Sequence, residues 1–176
     1  MPLPTFAPPA TPAPKSDTLT RTQAAARLEL NPAGVDKLVR AGILSTPITA
    51  TEVEHLTGRD RLQVTSGALT VLRTDAREEA DRTKYPADPR RWMGFHVEHS
   101  DHELEAASLR WWRSDPAKVV DNELFVVTVA TFPVAAYRIL ERADSITRAD
   151  EDVPRHHYAG QLLARVHPGM SGTYPQ

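Results

Sequence analysis

The richest metal-ligand chemistry in the chain lies in one run, His96-Val97-Glu98-His99-Ser100-Asp101-His102. In a strand, His96 and Glu98 share a face while His99 points away. Past Ser100 the chain turns helical, so the spacing matches no regular zinc motif such as two His one helical turn apart. These residues read as helix-capping groups and solvent-facing imidazoles, and no metal is expected. His156-His157-Tyr158 is a second polar-aromatic cluster, but adjacent residues of a strand point to opposite faces and do not readily ligate one ion. The chain has no Cys, which excludes thiolate zinc sites, cysteine nucleophiles and disulfides. It shows no nucleophile elbow, no phosphate-binding Gly loop and no paired carboxylates in an apolar setting. An enzyme is therefore not expected, and neither is a cofactor.

Binding chemistry is better represented. Trp92, Trp112, Tyr137 and Tyr158, with His96, Arg113 and Arg138, are the aromatic and cationic groups nearest the predicted strand ends. Aromatic faces can stack a flipped or unpaired base, at about 1–3 kcal/mol each, while Arg or His reads its edge. The competing reading is that half of these rings fill the core. It is preferred for Trp111 and Phe95.

The elements that must position these groups follow from local signals. Residues 1–17 hold six Pro and read as a disordered tail, as does the short tail 169–176. Thr20-Arg21-Thr22-Gln23 is a capping box opening a helix through Ala24, Ala25, Ala26 and Leu28. After a turn at Glu29-Leu30, Asn31-Pro32 restarts a helix whose apolar face is Val35, Leu38 and Val39, and Gly42 ends it. A capping box at Thr49–Glu52 opens a third helix, which Gly58 stops. From residue 61 to 168 the period changes. Strands are expected at Leu62–Val64 and Ala68–Leu72 on either side of a Ser66-Gly67 turn, and at Trp92–Val97, Leu124–Phe132, Val134–Leu140 and Leu162–Val166, with Pro133 breaking the pair around it. The charged run 73–91 reads as solvated helix and loop, except for Arg90-Arg91-Trp92, where cations sit beside a ring. A third capping box at Ser100–Glu103 opens a helix expected to carry Trp111-Trp112-Arg113 near its end, and Asp115-Pro116 opens a short one.

Residues 18–58 resemble the helix-turn-helix of excisionase-type and MerR-type DNA-binding proteins, with Ala25-Ala26-Arg27-Leu28 and Ala41-Gly42-Ile43-Leu44 in the places of the family's conserved-pattern segments. The resemblance implies that the second helix enters the major groove, with Asn31, Ala33, Gly34, Asp36, Lys37 and Arg40 towards DNA. Ala33 and Gly34 would then allow close approach and contact with a pyrimidine methyl. Thr22, Arg73, Arg90 and Arg91 complete the expected DNA contacts. The usual basic wing is absent. Glu105, Trp111-Trp112-Arg113, Asp115-Pro116 and Leu124 to Ile139 resemble small bacterial PUA-like domains, compact mixed barrels related to readers of modified bases. The combination is similar to actinobacterial proteins that bind DNA containing 5-methylcytosine.

The expected fold is thus α+β: a three-helix unit (18–58) followed by a PUA-like mixed β-barrel with one or two helices (61–168). The expected partner is double-stranded DNA carrying 5-methylcytosine, with discrimination on the order of 1–3 kcal/mol per contact. The net charge of −2 gives no global attraction to nucleic acid, so binding must come from local patches. Arg outnumbers Lys 17 to 4, which suits phosphate and guanine contacts. A ligand-sensing transcription regulator, an RNA-binding module and a metal-dependent hydrolase are the alternatives. Without a secretory signal or an apolar run of membrane-spanning length, a cytoplasmic, nucleoid-associated protein is expected.

Overall fold

The computed structural model describes residues 17–59, 64–83, 86 and 88–166. The expected tails, apart from Asp17, and the strand start at Leu62 lie outside the described residues.

The helical side begins with β1 (Thr18–Leu19), α1 (Arg21–Leu28), α2 (Pro32–Arg40), β2 (Ile48–Thr49) and α3 (Ala50–Thr57). Both expected capping boxes form: the Thr20 hydroxyl accepts from Gln23 N–H, and that of Thr49 from Glu52 N–H. Each satisfies a backbone donor that the first turn would otherwise leave open, worth about 1 kcal/mol. The turn between α1 and α2 works because Glu29 adopts the left-handed region (φ 56°), and Asn31 caps α2 through Gly34 N–H at 2.7 Å. The small, buried Ala24 and Ala25 let α1 lie close to α2, whose Val35 and Leu38 are fully buried. Arg21 on α1 and Asp36 on α2 form an ion pair across the turn. The strands β1 and β2 pair antiparallel and tie the start of the unit to the start of α3.

The rest comprises β3 (Thr70–Thr74), β4 (Glu78–Glu79), β5 (Trp92–Met93), α4 (Asp101–Leu109), α5 (Pro116–Asp121), β6 (Leu124–Val129), β7 (Phe132–Ile146) and β8 (Arg155–Arg165). Four strands form a mixed sheet in the order β3-β6-β7-β8, with β3 parallel to β6 and the other pairs antiparallel. A separate ribbon pairs β4 with β5. Among the described residues the protein is therefore mixed α/β, with five helices and no closed barrel. The anticipated closure fails because β3 and β8 are the two edges of this sheet.

Several element boundaries differ from those expected. β6 ends at Val129, and Ala130-Thr131 turns the chain with both residues at positive φ (47° and 77°). That is the backbone of a two-residue hairpin turn made without the usual Asn or Gly. Pro133 does not break the return strand. It sits inside β7 opposite Thr128, where the register shifts, and a bulge tolerates its missing N–H. The run 73–91 contains no helix among its described residues, because β4 engages β5 instead. The expected strand Trp92–Val97 shortens to β5, since Gly94 turns the backbone at φ 76° and a Cβ there would meet Ala76 O at 2.4 Å. The capped helix α4 forms, but it stops at Leu109. Arg110 is extended, the Trp112 indole donates to Ser108 O at 2.7 Å, and Arg90 donates to Arg110 O at 2.5 Å. Trp111, Trp112 and Arg113 therefore lie beyond the helix, and Trp112 bridges to His156 of β8.

One apolar core runs from the helical side, through Leu38, Ala41 and Leu44, to Phe95, Val127 and Tyr137 on the sheet side. The two sides also share a backbone bond from Val97 N–H to Ala41 O at 3.0 Å. Gly42 makes that approach possible. Its φ is +75°, and a Cβ on it would stand 2.7 Å from Val97 Cγ2 and 3.2 Å from His96 Nε2.

Candidate nucleic-acid interface

The N-terminal turn of α2 is the accessible end of that helix. Asn31, Pro32 and Ala33 are exposed, as is Thr22 on α1. Because the Asn31 oxygen is taken by the cap, its amide is available as a donor. Gly34 is buried and packs towards Leu30, where an added Cβ would lie 3.4 Å from Leu30 Cβ. The expected approach of Gly34 to DNA is thus replaced by helix packing.

The two cations of α2 are engaged within the molecule. Lys37 Nζ lies 2.8 Å from Asp75, and Arg40 Nη2 lies 3.1 Å from Glu78. All four side chains remain between 40% and 59% exposed, so water and ions reach both pairs. Burial would raise the Asp75 carboxyl, but the Lys37 ammonium and the Ala76 N–H together hold it below its ordinary value. Asp36, whose carboxylate would repel phosphate, is partnered by Arg21.

Glu78 belongs to β4, and across the ribbon β5 carries Trp92, paired with Glu79. The guanidinium carbons of Arg77 and Arg91 lie 4.8 and 4.6 Å from the Trp92 ring centroid. Trp92 is partly exposed and Arg91 exposed. Arg77 also approaches Glu98 at 3.8 Å. Helix α2 and the ribbon thus form one composite surface with alternating charge. Sequence reasoning missed Asp75, Arg77 and Glu78, since within a run of mixed charges nothing in their spacing distinguishes them.

The other candidates separate into distinct places. Tyr137 and Tyr158 have no exposed surface, and their rings are core. Burial pushes both phenols above their usual range, and the Tyr158 hydroxyl lies 2.6 Å from Ser114 Oγ. The expected single pocket of Trp92, Trp112, Tyr137 and Tyr158 is therefore absent: two rings are inaccessible, Trp92 is on the ribbon, and Trp112 is fastened to α4 and β8. Arg113 pairs at 3.0 Å with Glu151, which Arg155 and Arg148 also grip. Hydrogen bonding from Arg155, with Arg113, holds that carboxyl down at about 2. Arg138 is exposed on β7 and Arg73 on the edge strand β3. Arg90 is buried, its Nε and Nη2 bound to Asp88 at 2.7 and 2.6 Å, and is closed to phosphate.

The histidine run likewise divides. His96 Nδ1 accepts from Glu98 N–H at 3.2 Å, and burial together with Arg77 lowers its pKa. His99 is buried, contrary to the solvent-facing expectation, and neither ring nitrogen has a hydrogen-bond partner among the described residues. Burial, reinforced by Arg77, lowers it to about 4. Among the described residues no group of three or more His, Asp or Glu is placed to hold a metal ion. No helix among them is long and apolar enough to cross a membrane.

No family model, curated protein or solved structure matches the chain.

Proposed function

We propose that this chain reads double-stranded DNA carrying 5-methylcytosine, with the N-terminal turn of α2 presented to the major groove and the β4–β5 ribbon beside it. On this reading α1–α3 act as a helix-turn-helix and the sheet side as an open, PUA-like module. The observation that carries it is the exposed, capped turn Asn31–Ala33, set next to a ribbon whose Trp92 is flanked by two Arg.

The chemistry fits a groove reader better than a base-flipping one. The 5-methyl group of cytosine projects into the major groove, where the thymine methyl also lies, so an Ala side chain can contact it without extracting the base. Flipping would require a closed aromatic pocket. With Tyr137 and Tyr158 in the core, two of the four rings expected to build one are spent on packing. A groove contact with one methyl is worth about 0.8 kcal/mol, a smaller discrimination than a stacking pocket would give. Arg77, Arg91 and Trp92 would then follow the backbone rather than read the base.

The test is Ala33→Glu, measured by fluorescence anisotropy on duplexes identical except for cytosine methylation. A carboxylate at the groove floor should weaken binding to both and abolish any methyl preference. Unchanged binding would remove α2 from the interface.

A further inference from the structure

We propose that Asp75 and Glu78 are internal competitors for DNA phosphate, holding the sequence-independent attraction of α2 near zero; this rests on the reading of α2 as a DNA-contacting helix. Lys37 and Arg40 are the cations of that helix, and each lies against a carboxylate from the other side of the fold, Lys37 against Asp75 just past β3 and Arg40 against Glu78 of β4. The pairing spans two parts of the fold, with the partners 38 positions apart in each case. The Ala41–Val97 backbone bond and the close seat of Gly42 hold α2 against the chain following β5, and there Phe95 N–H donates to Asp75 O and Phe95 O accepts from Arg77 N–H, which brings the two parts together. A phosphate approaching either cation therefore meets a carboxylate already there. To bind, it must displace that group or accept a neutral pair, which releases no counterions.

The same balance reaches the ribbon at Arg77, which faces Glu98 at 3.8 Å. Backbone attraction gives affinity but carries no sequence information. A reader whose phosphate contacts are internally cancelled must draw its resting affinity from base contacts. Asp75 and Glu78 would thus set how tightly the protein holds any duplex, without changing which duplex it prefers.

The experiment titrates the full chain and its Asp75→Asn/Glu78→Gln variant against methylated and unmethylated duplexes over a range of salt concentrations. Each freed cation regains what an exposed ion pair had held, a factor of about 1.4 to 5. The double variant should therefore bind both duplexes about 2- to 30-fold more tightly, with an unchanged ratio between them. Its log–log salt slope should steepen by about 2, one freed phosphate contact for each cation. Glu78→Gln alone, on an exposed side chain, should give part of each effect at an unchanged melting temperature. Unchanged affinity and slope in both variants, while the parent chain still discriminates the duplexes, would overturn this inference and leave the proposed function standing. Tightening of the methylated duplex alone would also overturn it, since phosphate contacts cannot see the methyl. If neither parent nor variant binds any duplex at low salt, both proposals fall.

Discussion

Replacing Arg90 by Ala separates a structural cation from a DNA contact. Its side chain is 4% exposed and that of Asp88 1%. The guanidinium makes two bonds to the Asp88 carboxylate and a third to Arg110 O, the first residue beyond α4. Truncation leaves a buried carboxylate without its counter-charge and an accepting carbonyl without its donor. Breaking a buried pair in this way costs about 3–5 kcal/mol, against a total stability of about 5–15 kcal/mol. For a domain of this size that corresponds to a fall in Tm of about 6–20 °C. Urea unfolding followed by Trp fluorescence should show a lower midpoint with an unchanged m value. A companion variant, Asp88→Leu/Arg90→Met, should recover much of the loss, because it removes both charges together. An Arg90→Ala protein with an unchanged midpoint but weakened DNA binding would refute the reasoning, and Arg90 would be a phosphate contact after all.

Gly42→Ala should cost at least 1–2 kcal/mol from the left-handed backbone alone, and more as Val97 is pushed aside; urea midpoints check this, and no effect would mean the junction with Val97 is loose. His99 binds a proton less readily folded, at about 4, than unfolded, near 6.5, so the unfolded state takes up the proton first as pH falls. Stability should decline from about pH 6.5 to pH 4 by up to about 3 kcal/mol and level off below, and His99→Phe, beside Phe95, should flatten that part of the curve. A pH profile that His99→Phe leaves unchanged would contradict the burial of that ring. Trp92→Ala should lower affinity for both methylated and unmethylated duplexes, since Arg77 and Arg91 lose the ring that positions them, with the methyl ratio unchanged; loss of the ratio instead would make Trp92 the base reader.

The features legible in the sequence were those written locally. The three capping boxes, the Asn31-Pro32 and Asp115-Pro116 starts and the left-handed Gly42 all form where side-chain and backbone chemistry within four residues dictates them. The misplaced boundaries are set by distant partners. Trp112 and Arg90 stop α4 from positions outside it, and the Ala130-Thr131 turn carries no Gly or Asn to announce itself. The same distinction governs the site. An exposed Ala33 follows from helical periodicity, whereas the burial of Tyr137, Tyr158 and Arg90 depends on which strands and loops close over them. The pairing of Lys37 with Asp75 and of Arg40 with Glu78 links segments 38 residues apart, and no local pattern encodes it.

The central claim, that α2 reads a cytosine methyl in the major groove, is tested most directly by one ratio: the affinity of the full chain for a fully methylated duplex over that for its unmethylated twin at one salt concentration. The account predicts about 4-fold tighter binding for each methyl contacted, the worth of one buried methyl-sized group. Equal affinity for the two duplexes would contradict it.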